Sequence, residues 1–120
     1  MAFRTLDDDL SYTTTVDAYV TENERDLRTN YIRVRNKDSV DVMARVPHCG
    51  VIRVAVHDPQ TMDVLTEFDA ECGHHRTGYV WVKNPTLKRG GHPLLTKRLR
   101  ALGLDAGAPC VLTITYGGEA

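Results

Sequence analysis

Apolar and polar residues alternate with a period of two along most of the chain, which is the pattern of half-buried β-strands. In LSYTTTVDAYV (residues 10–20), every second residue from Leu10 to Val20 falls on one face. The same alternation recurs in NYIRVRN (30–36), SVDVMARV (39–46), GVIRVAVHD (50–58), MDVLTEFD (62–69), GYVWVKN (78–84) and PCVLTITY (109–116). Turn residues separate the segments at the spacing of about 8–12 residues seen in all-β folds. The pattern predicts a mainly β protein of about seven strands, either a β-sandwich or a small barrel.

Three stretches interrupt the alternation. TENERDLRTN (21–30) is polar and charged, which predicts a loop or one or two helical turns. AECGHHRTG (70–78) is interpreted as a loop, and NPTLKRGGHP (84–93) as a long irregular connection. Neither these stretches nor the rest of the chain marks a domain boundary, so residues 1–120 are expected to form a single domain, in keeping with usual domain sizes.

One α-helix is predicted before the C-terminal strand. Pro93 suits the first helical position, and Leu95, Leu99 and Leu102 form one apolar stripe at helical spacing. Gly103 follows the stripe and can adopt the left-handed conformation that ends a helix.

Composition and termini indicate an intracellular protein. The 42% of hydrophobic and 26% of charged residues are ordinary for a globular domain. No apolar run approaches the roughly 20 residues of a membrane span. The N-terminal MAFRTLDDDLS is acidic and lacks the apolar core of a signal peptide. We therefore expect a cytoplasmic protein without a membrane partner, whose three cysteines are reduced.

The net charge of −1 conceals a marked polarity. Residues 1–75 carry 8 Lys and Arg against 14 Asp and Glu, whereas residues 76–120 carry 7 against 2. Such asymmetry indicates an anionic partner for the basic end. The alternative is that the two ends attract each other, within the fold or across a homodimer.

The basic residues of the second half are the first candidate site. Several cations on one surface can bind the phosphates of a nucleic acid and release counterions. The candidate set is Lys83, Lys88, Arg89, His92, Lys97, Arg98 and Arg100, to which Arg33, Arg35 and Arg53 could add. The alternative is a solvated helix face whose cations complement the helix dipole.

Two predicted turns carry cysteine and histidine, the residue types that most often act as zinc ligands. Cys49 follows His48 in the turn PHCG, and Cys72, His74 and His75 lie in ECGHH. If the turns meet at one end of the sheet, Cys49, Cys72, His74 and His75 could form a zinc site. The alternative is a set of surface histidines with reduced, partly buried thiols, and no other cofactor is indicated.

The sequence contains no GxSxG, HExxH, P-loop or GxGxxG pattern, so no catalytic residue is assigned. A Cys–His nucleophile pair, such as Cys49–His75 or Cys72–His57, is the form that an enzyme would take here. Because the sequence alone does not show that such a pair forms, it favours a protein that is not an enzyme.

The run KRLRALGLDAGAPCVLTITYGG (97–118) resembles the C-terminal half of AbrB-type swapped-hairpin regulators, which carry a short helix, a Leu-Gly-hydrophobic stop, a turn and a final strand. It is also similar to an element of FeoA-like SH3-fold modules. The matching positions are Leu99, Leu102, Gly103, Leu104, Gly107, Val111 and Ile114. The AbrB resemblance implies a dimer that contacts DNA through basic residues.

Together these features predict a small prokaryotic or viral nucleic-acid-binding or regulatory protein that forms a homodimer and contacts phosphates through its basic C-terminal surface. The alternative is a structural or protein-interaction β module of viral or phage type that binds a protein partner through its acidic first half. An acidic protein surface is the other partner that the sequence allows for the cations. A zinc-dependent or cysteine enzyme is the third hypothesis.

Overall fold

The computed structural model describes residues 11–23, 26–83 and 94–117. These residues form six strands and two helices. The strands are β1 (Tyr12–Asn23), β2 (Asp26–Val34), β3 (Gly50–His57), β4 (Val64–His75), β5 (Tyr79–Lys83) and β6 (Pro109–Tyr116). The helices are α1 (Asn36–Arg45), between β2 and β3, and α2 (Leu94–Ala101), between β5 and β6. Neither described helix is long and apolar enough to span a membrane.

The six strands form one closed antiparallel barrel. Their order around it is β1-β2-β5-β4-β3-β6, and β6 closes the barrel by pairing with both β3 and β1. The predicted mainly β fold with a helix before the last strand is therefore confirmed, and of the two predicted architectures the described strands form the barrel.

The strand directions place the two helices at opposite ends of the barrel. Because all pairs are antiparallel, β2 ends and β3 begins at one barrel end, whereas β5 ends and β6 begins at the other. Each helix connects two strands at a single end, so each closes the opening there. Val42 and Val46 from the α1 side and Leu99 from α2 are fully buried in the same core as the strand residues.

The barrel interior is filled by every second residue of each strand. In β3, for example, Ile52, Val54 and Val56 are buried while Arg53 is exposed, as the alternation predicts. Each fully buried Val, Ile or Leu side chain contributes roughly 1.5–3 kcal/mol relative to an exposed one. The alternation that fills the core also fixes which side chains point outward, and these build the candidate site.

The predicted strand over residues 39–46 is wrong, because this segment is most of α1. A strand would bury Val40 and Ala44, but Val40 is 68% exposed, and the buried residues are Ser39 and Val42. Val42 and Val46 fit both a period of two and a helical period, so the apolar pattern did not separate the two. The helix also has Asp38 in its first turn and Arg45 in its last, which complements its dipole.

Two predicted loops are strands. Residues 21–23 and 26–30 are the arms of the β1–β2 hairpin, in which Thr21 pairs with Tyr31 and Glu22 with Asn30. β4 continues through residues 70–75 instead of ending at Asp69, because Ala70 and Cys72 prolong the buried alternation. Its last residues pair with β5, so that β4 contributes to the outer face described below.

The predicted end of the C-terminal helix is confirmed. Gly103 has φ +76°, its N–H donates to the Arg100 carbonyl at 3.0 Å, and the Leu104 N–H donates to the Leu99 carbonyl at 2.8 Å. This is the Schellman pattern of a helix C-terminus. Leu102, the last residue of the predicted apolar stripe, is exposed beside this turn and does not contribute to the core.

Candidate nucleic-acid interface

The structure describes only part of the basic set that is predicted to bind phosphate. Lys88, Arg89 and His92 lie outside the described residues. Lys97, Arg98 and Arg100 are exposed on α2, where the Arg98 guanidinium donates to Thr66 Oγ1 at 3.1 Å. Lys83 is half-buried on β5.

Among the described residues, a different surface brings cations and aromatic rings together. It is the outer side of the four neighbouring strands β1, β2, β5 and β4, including the residue that follows β2. We call it the aromatic–arginine face. Its residues are Tyr19, Tyr31, Arg33, Arg35, His75, Tyr79, Trp81 and Lys83.

Strand register brings these side chains together. Tyr19 on β1 lies opposite Arg33 on β2, which in turn lies opposite Trp81 on β5. On the other side of β5, His75 of β4 lies opposite Tyr79. Since these residues alternate with buried valines and isoleucines, their side chains project to the outside.

Five of them form a continuous stack across the four strands. The His75 and Tyr79 rings are parallel, with centroids 4.4 Å apart. The Arg33 guanidinium lies 3.7 Å from the Tyr79 centroid and 6.0 Å from that of Tyr19. Arg35 follows at 4.4 Å from the Tyr19 ring. Because β5 lies between β4 and β2, His75 and Arg33 cover opposite faces of Tyr79. Each cation–π contact at such a site contributes about 0.5–1 kcal/mol.

Trp81 lies beside the stack, over the backbone of Gly73. A Cβ added at Gly73 would lie 1.9 Å from Trp81 Nε1, so the indole occupies the space that a side chain would need. Tyr31 packs edge-on against the indole at 4.7 Å, and Lys83 Nζ lies 5.7 Å from its centroid. The Trp81 N–H is buried without a hydrogen-bond partner in the described structure.

The stack ends at a surface depression of about 330 Å³. Tyr19, Arg33, Arg35, Asn36 and Lys37 line it. The Arg33 Nη2 donates to Asn36 Oδ1 at 3.3 Å, which together with the Tyr79 ring fixes its guanidinium at the border. A depression of this size is at the lower end of the range for small-ligand sites.

Two of the three cations around the depression form no ion pair with a described carboxylate. The third, Lys37, has its Nζ 2.9 Å from Asp17 Oδ2 and 3.4 Å from Asp38 Oδ2, so these carboxylates offset its positive charge. Those hydrogen bonds raise the pKa of Lys37. Within residues 11–23, 26–83 and 94–117, no carboxylate forms an ion pair with Arg33 or Arg35.

Arg53, on the opposite side of the barrel, differs from Arg33 and Arg35 because it forms ion pairs with carboxylates. It also projects outward from a strand, but it lies 3.2 Å from Asp69 Oδ1 and 3.8 Å from Glu67 Oε1. Its charge is therefore balanced by its neighbours on β4. Arg53, predicted as an additional phosphate contact, is not part of the aromatic–arginine face, whereas Arg33 and Arg35 are central to it.

The two cysteines of the predicted zinc set occupy different environments. Cys72 is fully buried in the barrel core, and Cys49 is exposed in the turn before β3. The Cys49 N–H donates to the Cys72 carbonyl, so the backbones are adjacent. Burial, and to a smaller extent Cys49, raises the pKa of the Cys72 thiol to about 12. This disfavours the thiolate that metal binding or nucleophilic attack requires.

The two histidines of the set point in opposite directions from β4. His74 donates from Nε2 to the Val46 carbonyl at 2.8 Å, and its backbone N–H donates to His48 Nδ1 at 2.9 Å. His75 lies on the outer face, stacked on Tyr79. In the part of the chain that the structure describes, no three His, Cys, Asp or Glu side chains form a group that could hold a metal ion.

The sequence interpretation missed the aromatic members of the face. The alternation in GYVWVKN (78–84) places Tyr79 and Trp81 on the face opposite Val80 and Val82, in agreement with the structure, but alternation alone assigns no function to that face. The available signal was the presence of large aromatic residues at outward positions of predicted strands, since such residues are usually buried.

Comparison with known proteins finds no matching family model, no similar curated protein and no similar solved structure.

Proposed function

We propose that this protein binds single-stranded nucleic acid on its aromatic–arginine face. The observation that carries the proposal is the pair Arg33 and Arg35. Their guanidinium groups are stacked on tyrosine rings, have no carboxylate partner among the described residues, and border one depression.

The chemistry of the face suits this ligand. Proteins that bind single strands combine cations that follow the phosphates with aromatic or guanidinium planes on which bases stack. Arginine presents a planar set of donors that fits phosphate oxygens. Because tyrosine rings already hold Arg33 and Arg35 in place, less conformational entropy is lost when a phosphate binds.

The size of the face sets the length of strand that it can hold. Four strands spaced about 4.8 Å apart and three rows of outward residues give a surface of about 14 by 13 Å. Such a surface suits the short end of single-strand site sizes, about four nucleotides. A longer strand could continue past Lys83 toward the exposed cations of α2, because β5 ends at the barrel end where α2 lies.

The proposal is tested by titrating a labelled single strand of about eight nucleotides at about 50 and 200 mM salt. Replacing one arginine (Arg33→Gln or Arg35→Gln) is expected to weaken binding about tenfold at low salt. The slope of log affinity against log salt is expected to fall by about 0.7 for each lost phosphate contact.

Arg53→Gln is the matched control, since it removes the same charge from an outward strand position whose carboxylate neighbours balance it. It is expected to leave affinity and salt slope unchanged. An equal loss in all three variants would mean that net charge alone attracts the strand. Absence of binding to the wild type at low salt would refute the proposal.

The α2 cations are tested separately by reversing Lys97, Arg98 and Arg100 to glutamate. If the strand reaches α2, this variant loses affinity for a strand of about sixteen nucleotides but keeps its affinity for a short one. Unchanged affinity for both lengths removes α2 from the binding surface.

A second candidate function is the binding of an acidic protein segment. The observation that favours it is that both faces of the Tyr79 ring are already covered, which leaves fewer ring faces for bases to stack on. Tryptophan, tyrosine and arginine are also the residues that dominate protein interfaces. A poly-glutamate peptide that competes with the oligonucleotide in an Arg35-dependent manner would favour this candidate, provided that single strands bind more weakly than the peptide.

A further inference from the structure

We infer that the depression beside Arg33 and Arg35 binds a phosphate monoester, namely the terminal phosphate of a single-stranded nucleic acid. This inference rests on the proposed function and assigns a specific ligand group to one part of the face. It distinguishes the end of a strand from its interior.

Charge matching favours a monoester over the diester of an internal linkage. Arg33 and Arg35 bring two positive charges to the border of the depression, and neither forms an ion pair with a described carboxylate; Asp17 and Asp38 contact Lys37 instead. A phosphate monoester carries a charge of about −1.5 to −2 at neutral pH, whereas an internal phosphodiester carries one negative charge. The two guanidinium groups can therefore each pair directly with a terminal phosphate, and the preference rests on these direct pairs, since Asp17 and Asp38 lower the net charge around the depression.

The side chains that line the depression are fixed before any ligand arrives. Arg33 is held by the Tyr79 ring and by Asn36 Oδ1, and Arg35 is held by the Tyr19 ring. Both guanidinium planes keep donors that these contacts do not use, since each carries five N–H groups. A terminal phosphate, with three strongly accepting oxygens, can accept from both arginines at once.

Lys37 provides an internal comparison. It lines the same depression, but Asp17 and Asp38 already hold its ammonium group. A phosphate would have to compete with those carboxylates for it. Because Lys37→Gln also leaves those two carboxylates without their cation, we expect it to lower the affinity for a terminal phosphate, but less than Arg35→Gln does.

The experiment compares three forms of one short labelled strand, carrying a 5′-phosphate, a 3′-phosphate or hydroxyl groups at both ends. Affinities are measured for the wild type and for the Arg35→Gln, Lys37→Gln and Arg53→Gln variants. Adenosine monophosphate and adenosine are titrated in parallel, as probes of the depression without a strand. Circular dichroism spectra establish that each variant is folded.

The expected result is that the wild type binds one phosphorylated form about tenfold more tightly than the hydroxyl form. The preference is lost in Arg35→Gln and kept in Arg53→Gln and, for the most part, in Lys37→Gln. Arg35→Lys restores part of it if charge is the main cause, and none if the planar guanidinium is needed; both results support a site at Arg35.

Failure of this inference can be separated from failure of the proposed function. If all three strands bind equally and Arg35→Gln weakens them equally, the face binds internal phosphates and the terminal-phosphate site is refuted. If no strand binds but the monophosphate binds more tightly than adenosine through Arg35, the monoester site stands, with a free nucleotide as its source. If neither strands nor the monophosphate bind, both proposals are refuted.

Discussion

Replacing Gly73 by alanine tests whether the Trp81 indole is built into the outer face as described. The new Cβ would lie 1.9 Å from Trp81 Nε1 and 2.3 Å from Cδ1, whereas ordinary contacts between such atoms are about 3.5–4.0 Å. The indole must therefore move by about 2 Å, because the other side of the contact is strand backbone.

The cost of that movement combines opposing effects. Overpacking of this kind costs about 1–3 kcal/mol, and loss of the edge-on contact with Tyr31 costs about 0.5–1.5 kcal/mol. Hydration of the indole N–H, which is buried and unpaired in the wild type, offsets part of this. Alanine is also more favourable than glycine in a strand interior, which adds roughly 0.5–1 kcal/mol to the free energy of unfolding. We expect a net loss of about 1–2 kcal/mol in the free energy of unfolding.

Two measurements follow the change. Urea unfolding gives the free energy, and because Trp81 is the sole tryptophan of the chain, its fluorescence reports directly on the indole. We expect the emission maximum to move to longer wavelength as water reaches the ring. In a Trp81→Leu background, followed by circular dichroism, Gly73→Ala should be neutral or slightly stabilising, which gives a coupling energy of about 2 kcal/mol between the two positions.

Gly78→Ala is the control for the loss of a glycine as such. A Cβ there meets no atom within 4 Å, but φ is +105°, so that this substitution costs backbone strain and leaves the indole in place. It should lower stability without changing the emission maximum. The reasoning about Trp81 would be refuted if Gly73→Ala left both stability and fluorescence unchanged.

Three further predictions concern stability. Burial raises the pKa of the Cys72 and Cys110 thiols from 9.0 to about 12, so the unfolded chain loses these protons first, and the free energy of unfolding should fall between pH 9 and 12. The slope of the free energy of unfolding against pH should reach up to about 1.4 kcal/mol per pH unit for each thiol and should flatten when both cysteines are replaced by alanine. If urea unfolding at several pH values gave the same slope for that variant, the two thiols would be excluded as its source. Ser39→Ala should cost about 1–3 kcal/mol, because it leaves a buried backbone N–H of β5 without its acceptor, and a change below about 0.5 kcal/mol would contradict this. Leu99→Ala should cost about 2–5 kcal/mol in denaturant unfolding and the exposed Leu102→Ala about 0.5 kcal/mol or less, whereas equal losses would show that α2 does not close the barrel.

The fold was predictable where one periodicity excluded the other. β3 alternates over its eight residues, and β6 does so except at Val111, which is buried between Cys110 and Leu112; both strands lie where the alternation predicts them. The strand predicted over residues 39–46 is wrong because Val42 and Val46 satisfy both periods. In the structure Ser39 is buried in the helix, and its hydroxyl accepts a hydrogen bond from the Val80 N–H of β5. The strand at the polar start of β2 was not predicted for a different reason. Its local composition favours a loop or helical turns, but hairpin pairing with β1 makes it a strand.

The candidate site was less predictable than the fold because its parts are distant in the chain. The β1–β2 hairpin brings Tyr19 next to Arg33, but Tyr79 meets them only through the pairing of β2 with β5, two strands separated in sequence by α1, β3 and β4. Alternation assigns each side chain to the outside but does not say which strands are neighbours. Basic residues that are close together in sequence, such as those of α2, can therefore be recognised as a group from the sequence. Cations that only the strand order brings together cannot.

Closure of the barrel also limits how two copies of this protein can associate. Each of the six described strands has a neighbour on both sides, but β5 is short and pairs only with Ile32 and Arg33 of β2 and with residues 71–75 of β4. Around β1, β6 and β3, where pairing extends over most of each strand, a strand from another copy could add only after the β1–β6 or β3–β6 pairing had opened. Among the described strands, backbone pairing between copies of the intact barrel is therefore confined to the parts of β2 and β4 that extend past β5.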